Sequence, residues 1–240
     1  MAEINSLENY IKYIDENCTC GHFIFRGVQD KIFHKLIPSV GRNRFYSLEN
    51  EKEIFYQFKR RSHSNMPSNP TNNWEWLAIA QHYGLPTRLL DWTFSPLIAL
   101  YFATQPKITE NILADCCENG GAVYALHFCN YINTEKDKDP FEYEKVGVFQ
   151  PPHVASRITG QAGIFTIQPN PGQELIYEKD ERLPDDVIKI EFTKEAASKM
   201  QSQLFKIGVR HDMLFPDLDG MAKGVKINEL LGALHYRECK

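Results

Sequence analysis

No stretch of this 240-residue chain approaches the roughly 20 consecutive apolar residues that a membrane-spanning helix needs. Acidic residues stand in the segment from Met1 to Asn17, where a secretory leader would carry basic ones, so the expected location is the cytoplasm and no membrane partner is expected. Positive charge is not in excess either. Lys and Arg number 27 against 31 Asp and Glu, which leaves no global attraction to phosphate backbones and makes nucleic acid a disfavoured partner. The basic run Lys59-Arg60-Arg61 with Trp74 and Trp76 reads as a solvated helix end beside core tryptophans.

Six cysteines, two of them adjacent at Cys116 and Cys117, are too few and too uneven for a disulfide framework, so reduced thiols are expected. Cys18, Cys20 and His22 lack the two-residue gap of a zinc knuckle and no second pair follows, so no metal is expected. The glycine-rich spots Gly120-Gly121 and Gly160-Gln161-Ala162-Gly163 carry no phosphate-loop lysine in register, and neither GxGxxG nor GxSxG occurs.

What is present is an ordinary globular composition, 42% hydrophobic and 24% charged, which can bury a core and fold without a partner. Leu7, Tyr10, Ile11 and Ile14 recur at helical spacing behind Ser6, a suitable cap, and predict a helix that ends by Gly21. His22 to Gly27 reads as a short strand closed by glycine, with Ile24 and Arg26 on one face and Phe23 and Phe25 on the other. A second helix capped by Ser47 carries Ile54, Phe55 and Phe58, and a loop spans Ser62 to Asn73. A third helix runs from about Asn73 and stops at Gly84 and Pro86. Leu89 to Thr93 is a strand, followed by Ser95 as cap and Pro96 as first residue of a helix to Ala103. Strands are predicted at Ala122–Phe128, Gly163–Gln168, Glu174–Tyr177 and Val187–Phe192, then a helix from Thr193 to Gly208.

Helices early and strands late predict an α+β fold: N-terminal helices against a mainly antiparallel β-sheet core that a split would suit. One domain over 1–240 is expected, with an N-terminal helix in 1–21, a core in 22–224 and a C-terminal extension in 225–240.

Arg26 is the first chemical candidate, because a guanidinium among apolar strand residues carries a fork that matches an anion; pairing with a core-edge carboxylate is the competing explanation. The segment Gln81 to Thr93 is richer in polar and aromatic groups than a structural strand needs, which makes His82, Tyr83 and Arg88 candidate ligand contacts. Asp91 in a strand needs a partner, and Arg88, Arg26 or a helix N-terminus could serve. Leu214 to Gly220 combines a turn signature with two carboxylates, Asp217 and Asp219, also carried as candidate ligand contacts.

Phe25-Arg26-Gly27, the run Trp76 to Thr93, Ser95-Pro96 with Tyr101-Phe102-Ala103, and Leu214 to Gly220 together resemble the FRG domain of bacteria, over about Phe23 to Gly224. A more distant likeness is to arginine-type ADP-ribosyltransferases, which pair an arginine on the first strand with a polar strand running into a helix and a late catalytic glutamate. Arg26 corresponds to the first of these, Asp91-Trp92-Thr93 with Ser95 to Ala103 to the second, and Gln161 stands about where the glutamate would be. The resemblance implies NAD as substrate, Arg26, Asp91, Thr93 and Gln161 as catalytic candidates, a nucleotide-type small molecule and a protein acceptor as partners, and a toxin or phage-defence role. A non-catalytic domain that senses a nucleotide or phosphorylated ligand is the alternative.

Overall fold

The computed structural model of the protein describes residues 4–42, 48–65, 70–105, 107–109, 112–114, 118–151, 161–175 and 187–238. The first helix, α1 (Leu7–Asn17), is capped by the Ser6 side chain, which accepts from the Asn9 amide and so satisfies an otherwise orphaned donor. Strand β1 (Phe23–Val28) follows. It continues through the glycine expected to stop it, because Gly27 serves a close approach: a Cβ there would lie 1.9 Å from the Ala99 carbonyl oxygen.

A short helix α2 (Ser39–Arg42) and a 3-10 turn at Leu48–Asn50 lead to α3 (Glu51–Ser62). The expected cap, Ser47, lies outside the described residues. Helix α4 (Asn73–His82) is capped by Asn72, and β2 (Leu89–Thr93) and α5 (Pro96–Thr104) fall where the sequence places them, with Ser95 accepting from the Ile98 amide. Strands β3 (Lys107–Thr109) and β4 (Ile112–Ala114) form a separate two-stranded ladder.

The main sheet is completed by β5 (Gly121–His127), β6 (Gly147–Phe149), β7 (Gly163–Ile167) and β8 (Val187–Phe192). Its order is β6-β7-β2-β1-β5-β8 and every pairing is antiparallel, which gives the α+β architecture expected from the sequence. Glu174 and Leu175 are not in a strand, and the rest of that predicted strand lies outside the described residues.

The chain closes with α6 (Lys194–Lys206), capped by Thr193, then α7 (His211–Leu214) and α8 (Leu218–Glu238), which crosses the anticipated 224/225 boundary as one helix. The turn expected at Leu214 to Gly220 is a helix start instead. Asp217 accepts the Gly220 amide at 2.8 Å as its cap, and the bare Gly220 Cα lets the first turn settle on the Phe215 carbonyl, 2.1 Å from where a Cβ would be. Among the described residues no helix is long and apolar enough to cross a membrane.

Helices cover one face of the sheet in two groups. Helices α1, α5 and α6 pack with Phe25, Val123, Ala125 and Ile190 over β1, β5 and β8. Helices α3 and α4 pack with Leu89, Phe149, Phe165 and Ile167 over β2, β6 and β7. The opposite face buries Ile24, Leu90, Trp92 and Leu126 under connecting segments that contribute Leu36 and Leu175. The two helical groups leave a seam over the β1–β2 junction, where polar residues from both faces of the sheet collect.

Candidate functional site

The seam has its cause in strand pairing. β1 matches β5 over six consecutive residue pairs, whereas β1 and β2 share the single pair Phe25 and Thr93. Beyond that pair the strands part, and main-chain groups there need substitutes for ladder bonds. The Arg26 guanidinium supplies one: its Nη1 donates to the Asp91 carbonyl oxygen at 2.6 Å and stands 3.8 Å from the Asp91 Oδ2 carboxylate oxygen. Its Nε is buried with no hydrogen-bond partner among the described residues, so the fork is only partly used.

A cavity of about 460 Å³ opens at this seam. Its floor is β1 from Phe25 to Val28, Gln29 just beyond it, and β2 from Asp91 to Thr93. Gln81 and His82 border it from the end of α4, Phe102 and Gln105 from α5, and Gln161, Gly163 and Phe165 from β7 and its approach. His34, Lys35 and Arg42 border it from the segment after β1, and Phe215 from the segment after α7.

Among the described lining residues Asp91 is the single carboxylate, facing Arg26, Lys35 and Arg42. Burial pulls the Arg26 pKa below its usual value; Asp91 opposes that shift, and the like charge of Arg42 adds to it. Two guanidinium groups close enough to repel, in a recess walled by Phe25, Trp92, Phe102 and Phe165, form a site that an anion would stabilise. Aromatic walls with a few convergent polar groups are the usual make-up of a small-molecule site.

The residues named from sequence divide into two sets. Arg26, Asp91, Thr93, Gln161 and His82 all border the cavity. Within it, Thr93 is committed locally: its buried hydroxyl donates to the Gln161 carbonyl at 2.7 Å and accepts from the Ser95 amide at 3.1 Å, holding β2 to β7 and starting α5. The Gln161 side-chain amide donates to the Leu214 carbonyl at 3.3 Å.

Tyr83, Arg88, Asp217 and Asp219 are not among the lining residues. Tyr83 is 66% exposed and meets the His82 ring edge-on. Arg88 is buried and directed to Glu51 at the start of α3, with Nη2 to Oε2 at 2.7 Å and the guanidinium over the Phe141 ring. Arg88 therefore partners Glu51 and not Asp91, whose nearest cation is Arg26. Asp217 caps α8 and Asp219 lies exposed in its first turn. Glu174 is likewise absent from the lining.

Lys35 and Arg42 went unnoticed in the sequence because they sit between β1 and α3, where no helical or strand period assigns a direction to a side chain. The one available signal was their clustering with His34 soon after the Phe25-Arg26-Gly27 strand. Phe215 was masked by its place in an apparent turn.

Comparison with known proteins finds a family match. Residues 21–111 fit the family model of the FRG domain, a span that includes every charged residue lining the cavity. Neither a curated protein nor a solved structure matches the chain, so the likeness to ADP-ribosyltransferases has no structural neighbour behind it.

Proposed function

From the premise that this chain carries an FRG domain, we propose that the seam cavity binds NAD or a closely similar nucleotide and cleaves its nicotinamide–ribose bond. The observation that carries the reading is the convergence of Arg26, Lys35 and Arg42 on a recess that contains one opposing carboxylate, Asp91. A diphosphate is the natural occupant of such a charge pattern, since each phosphoryl oxygen accepts from a guanidinium fork and the aromatic walls suit a flat heterocycle.

The chemistry needs little more than this arrangement. As the C1′–N bond lengthens, its electron pair moves to the pyridinium nitrogen, neutral nicotinamide departs, and positive charge develops on the ribose. Asp91 is the group able to stabilise that charge, while the arginines and Lys35 hold the diphosphate still. Water, or a nucleophile on an acceptor protein, then bonds to C1′ and loses one proton. Loss of cellular NAD by this route would suit a toxin or phage-defence effector.

A second reading, binding without turnover, rests on a specific observation. Thr93 and Gln161, the residues the resemblance assigns to catalysis, have their side chains engaged with the Gln161 carbonyl, the Ser95 amide and the Leu214 carbonyl. Incubation of the purified full chain with NAD separates the two. Nicotinamide release by the wild type that disappears in Arg26→Ala and Asp91→Asn supports cleavage; saturable binding with no release in any of them supports the sensing role. No binding and no release would remove both.

A further inference from the structure

At the opposite end of β1 from the cavity, three side chains from distant parts of the sequence meet. Cys20 and His22 lie in the turn between α1 and β1, and His127 ends β5. The β1–β5 register fixes the meeting: Phe23 stands opposite His127, and the Phe128 amide donates to the His22 carbonyl at 3.0 Å. The Cys20 thiol and one ring nitrogen from each histidine all lie within 4.8 Å of one another.

We propose that Cys20, His22 and His127 form a binding site for a zinc-class divalent cation, independent of the nucleotide cavity. One thiolate and two imidazoles are a donor set zinc favours, and ligand atoms already this close need only a small contraction to reach tetrahedral bonding distances. A second observation points the same way. The half-buried His127 has its Nδ1 shielded from water with no hydrogen-bond partner among the described residues, a cost that coordination through Nδ1 itself would relieve. The sequence hid this site because its third ligand is supplied by strand pairing and not by chain proximity, so no spacing rule finds it.

Cys20 and His22 are exposed, which leaves the fourth position open to water or an outside ligand. Cys20 would bind as thiolate, its proton going to solvent, and both imidazoles would bind neutral. The cation would tie the α1–β1 turn to the end of β5 and so brace the start of the strand that carries Arg26.

The test is titration of cobalt(II), then zinc, into the reduced, metal-free full chain. One equivalent of cobalt should give tetrahedral ligand-field bands and a thiolate charge-transfer band, and zinc should displace it. Cys20→Ser should abolish the charge-transfer band, and His127→Ala should weaken binding by more than about 100-fold, beyond the cost of losing an outer-sphere partner. Thermal melts without metal verify that both variants are folded, and zinc should raise the midpoint of the wild type alone. The proposal is overturned if Cys20→Ser retains the charge-transfer band, if both variants bind cobalt as the wild type does, or if the wild type binds none.

Discussion

Phe25 and Thr93 are the one residue pair through which β1 and β2 share a ladder, and beside that pair Arg26 reaches across to the Asp91 carbonyl. The sheet therefore consists of two three-stranded parts joined at a narrow point. Each half has its own helical cover, and the cavity opens where the two halves part, lined by residues of the helical face and by His34, Lys35 and Arg42 from the segment after β1. Arg26 closes a gap in main-chain hydrogen bonding there and, on the proposed function, would present the rest of its fork to a ligand.

Arg26→Lys separates those tasks. It keeps the charge but loses the planar fork, so nucleotide affinity should fall about tenfold or more. The lost bond to the Asp91 carbonyl should cost at most about 1.5–3 kcal/mol, the range for a charge-assisted hydrogen bond. Titration calorimetry and urea unfolding of the same preparation measure the two effects. A lysine variant that binds as the wild type does would show that the fork is not the contact.

Asp91→Asn should have opposite effects on binding and turnover. Removing the one carboxylate among the described lining residues leaves Arg26, Lys35 and Arg42 less opposed, so a dinucleotide should bind as well or better. Bond cleavage should drop on the order of 100-fold, the scale of losing one aimed electrostatic contact. Steady-state kinetics at saturating NAD would register that as a fall in kcat without a rise in KM.

Arg88 and Glu51 serve as a contrast. Both are buried and joined at 2.7 Å, and the pair fastens the start of α3 to the segment that enters β2. Glu51→Ala strands a buried guanidinium and should cost about 3–5 kcal/mol. Nucleotide affinity of the remaining folded protein should be unchanged, because Arg88 does not line the cavity. Chemical denaturation read beside ligand titration shows whether stability and binding separate as stated.

Gly27→Ala should damage both. Its Cβ would sit 1.9 Å from the Ala99 carbonyl oxygen and 2.6 Å from the Ala103 amide nitrogen, main-chain atoms of α5 that have no flexible end to yield. Overpacking of this kind costs about 1–3 kcal/mol or more. Because the displaced helix carries Phe102 at the cavity wall, weaker nucleotide binding should accompany the lower thermal midpoint.

Much of the framework was legible because its signals are local. Ser6, Ser95 and Thr193 act as the caps their positions suggest, and Leu89–Thr93 and Val187–Phe192 are strands at the predicted bounds. Short elements escaped notice: three residues in β6 are too few to display a period, and the α8 start imitates a turn because an N-cap aspartate followed by glycine has the same composition. Of the residues that line the cavity, Arg26 stands out in sequence as a guanidinium among apolar strand residues and Asp91 and His82 by the local density of polar groups, whereas Lys35, Arg42 and the meeting of His127 with Cys20 depend on contacts between distant segments. Arg88 illustrates the reverse, since a buried arginine beside a functional strand looks the same in sequence whether it serves a ligand or Glu51.

Two buried tyrosines contribute to the alkaline behaviour. Burial raises the pKa of Tyr10, whose hydroxyl donates to the Pro96 carbonyl at 2.9 Å, and of Tyr101, whose hydroxyl is 2.9 Å from His211 Nδ1. Both phenols hold their protons more tightly folded than unfolded, so their contribution is fully present below the unfolded value of about 10 and is lost as pH rises toward the folded values. Unfolding free energy should thus decline above about pH 10, and Tyr10→Phe should make the decline shallower. A stability that stays flat through this range would contradict the assignment.

The claim that everything else depends on is that the seam between β1 and β2 holds a nucleotide diphosphate. Titration calorimetry of NAD into the wild-type chain, Arg26→Ala and Arg42→Ala tests it most directly. The account predicts one site in the wild type, weakened at least tenfold by each substitution and weakened further by added salt, with all three proteins folded. Equal NAD affinity in the three proteins, or no heat of binding in the wild type, would contradict it.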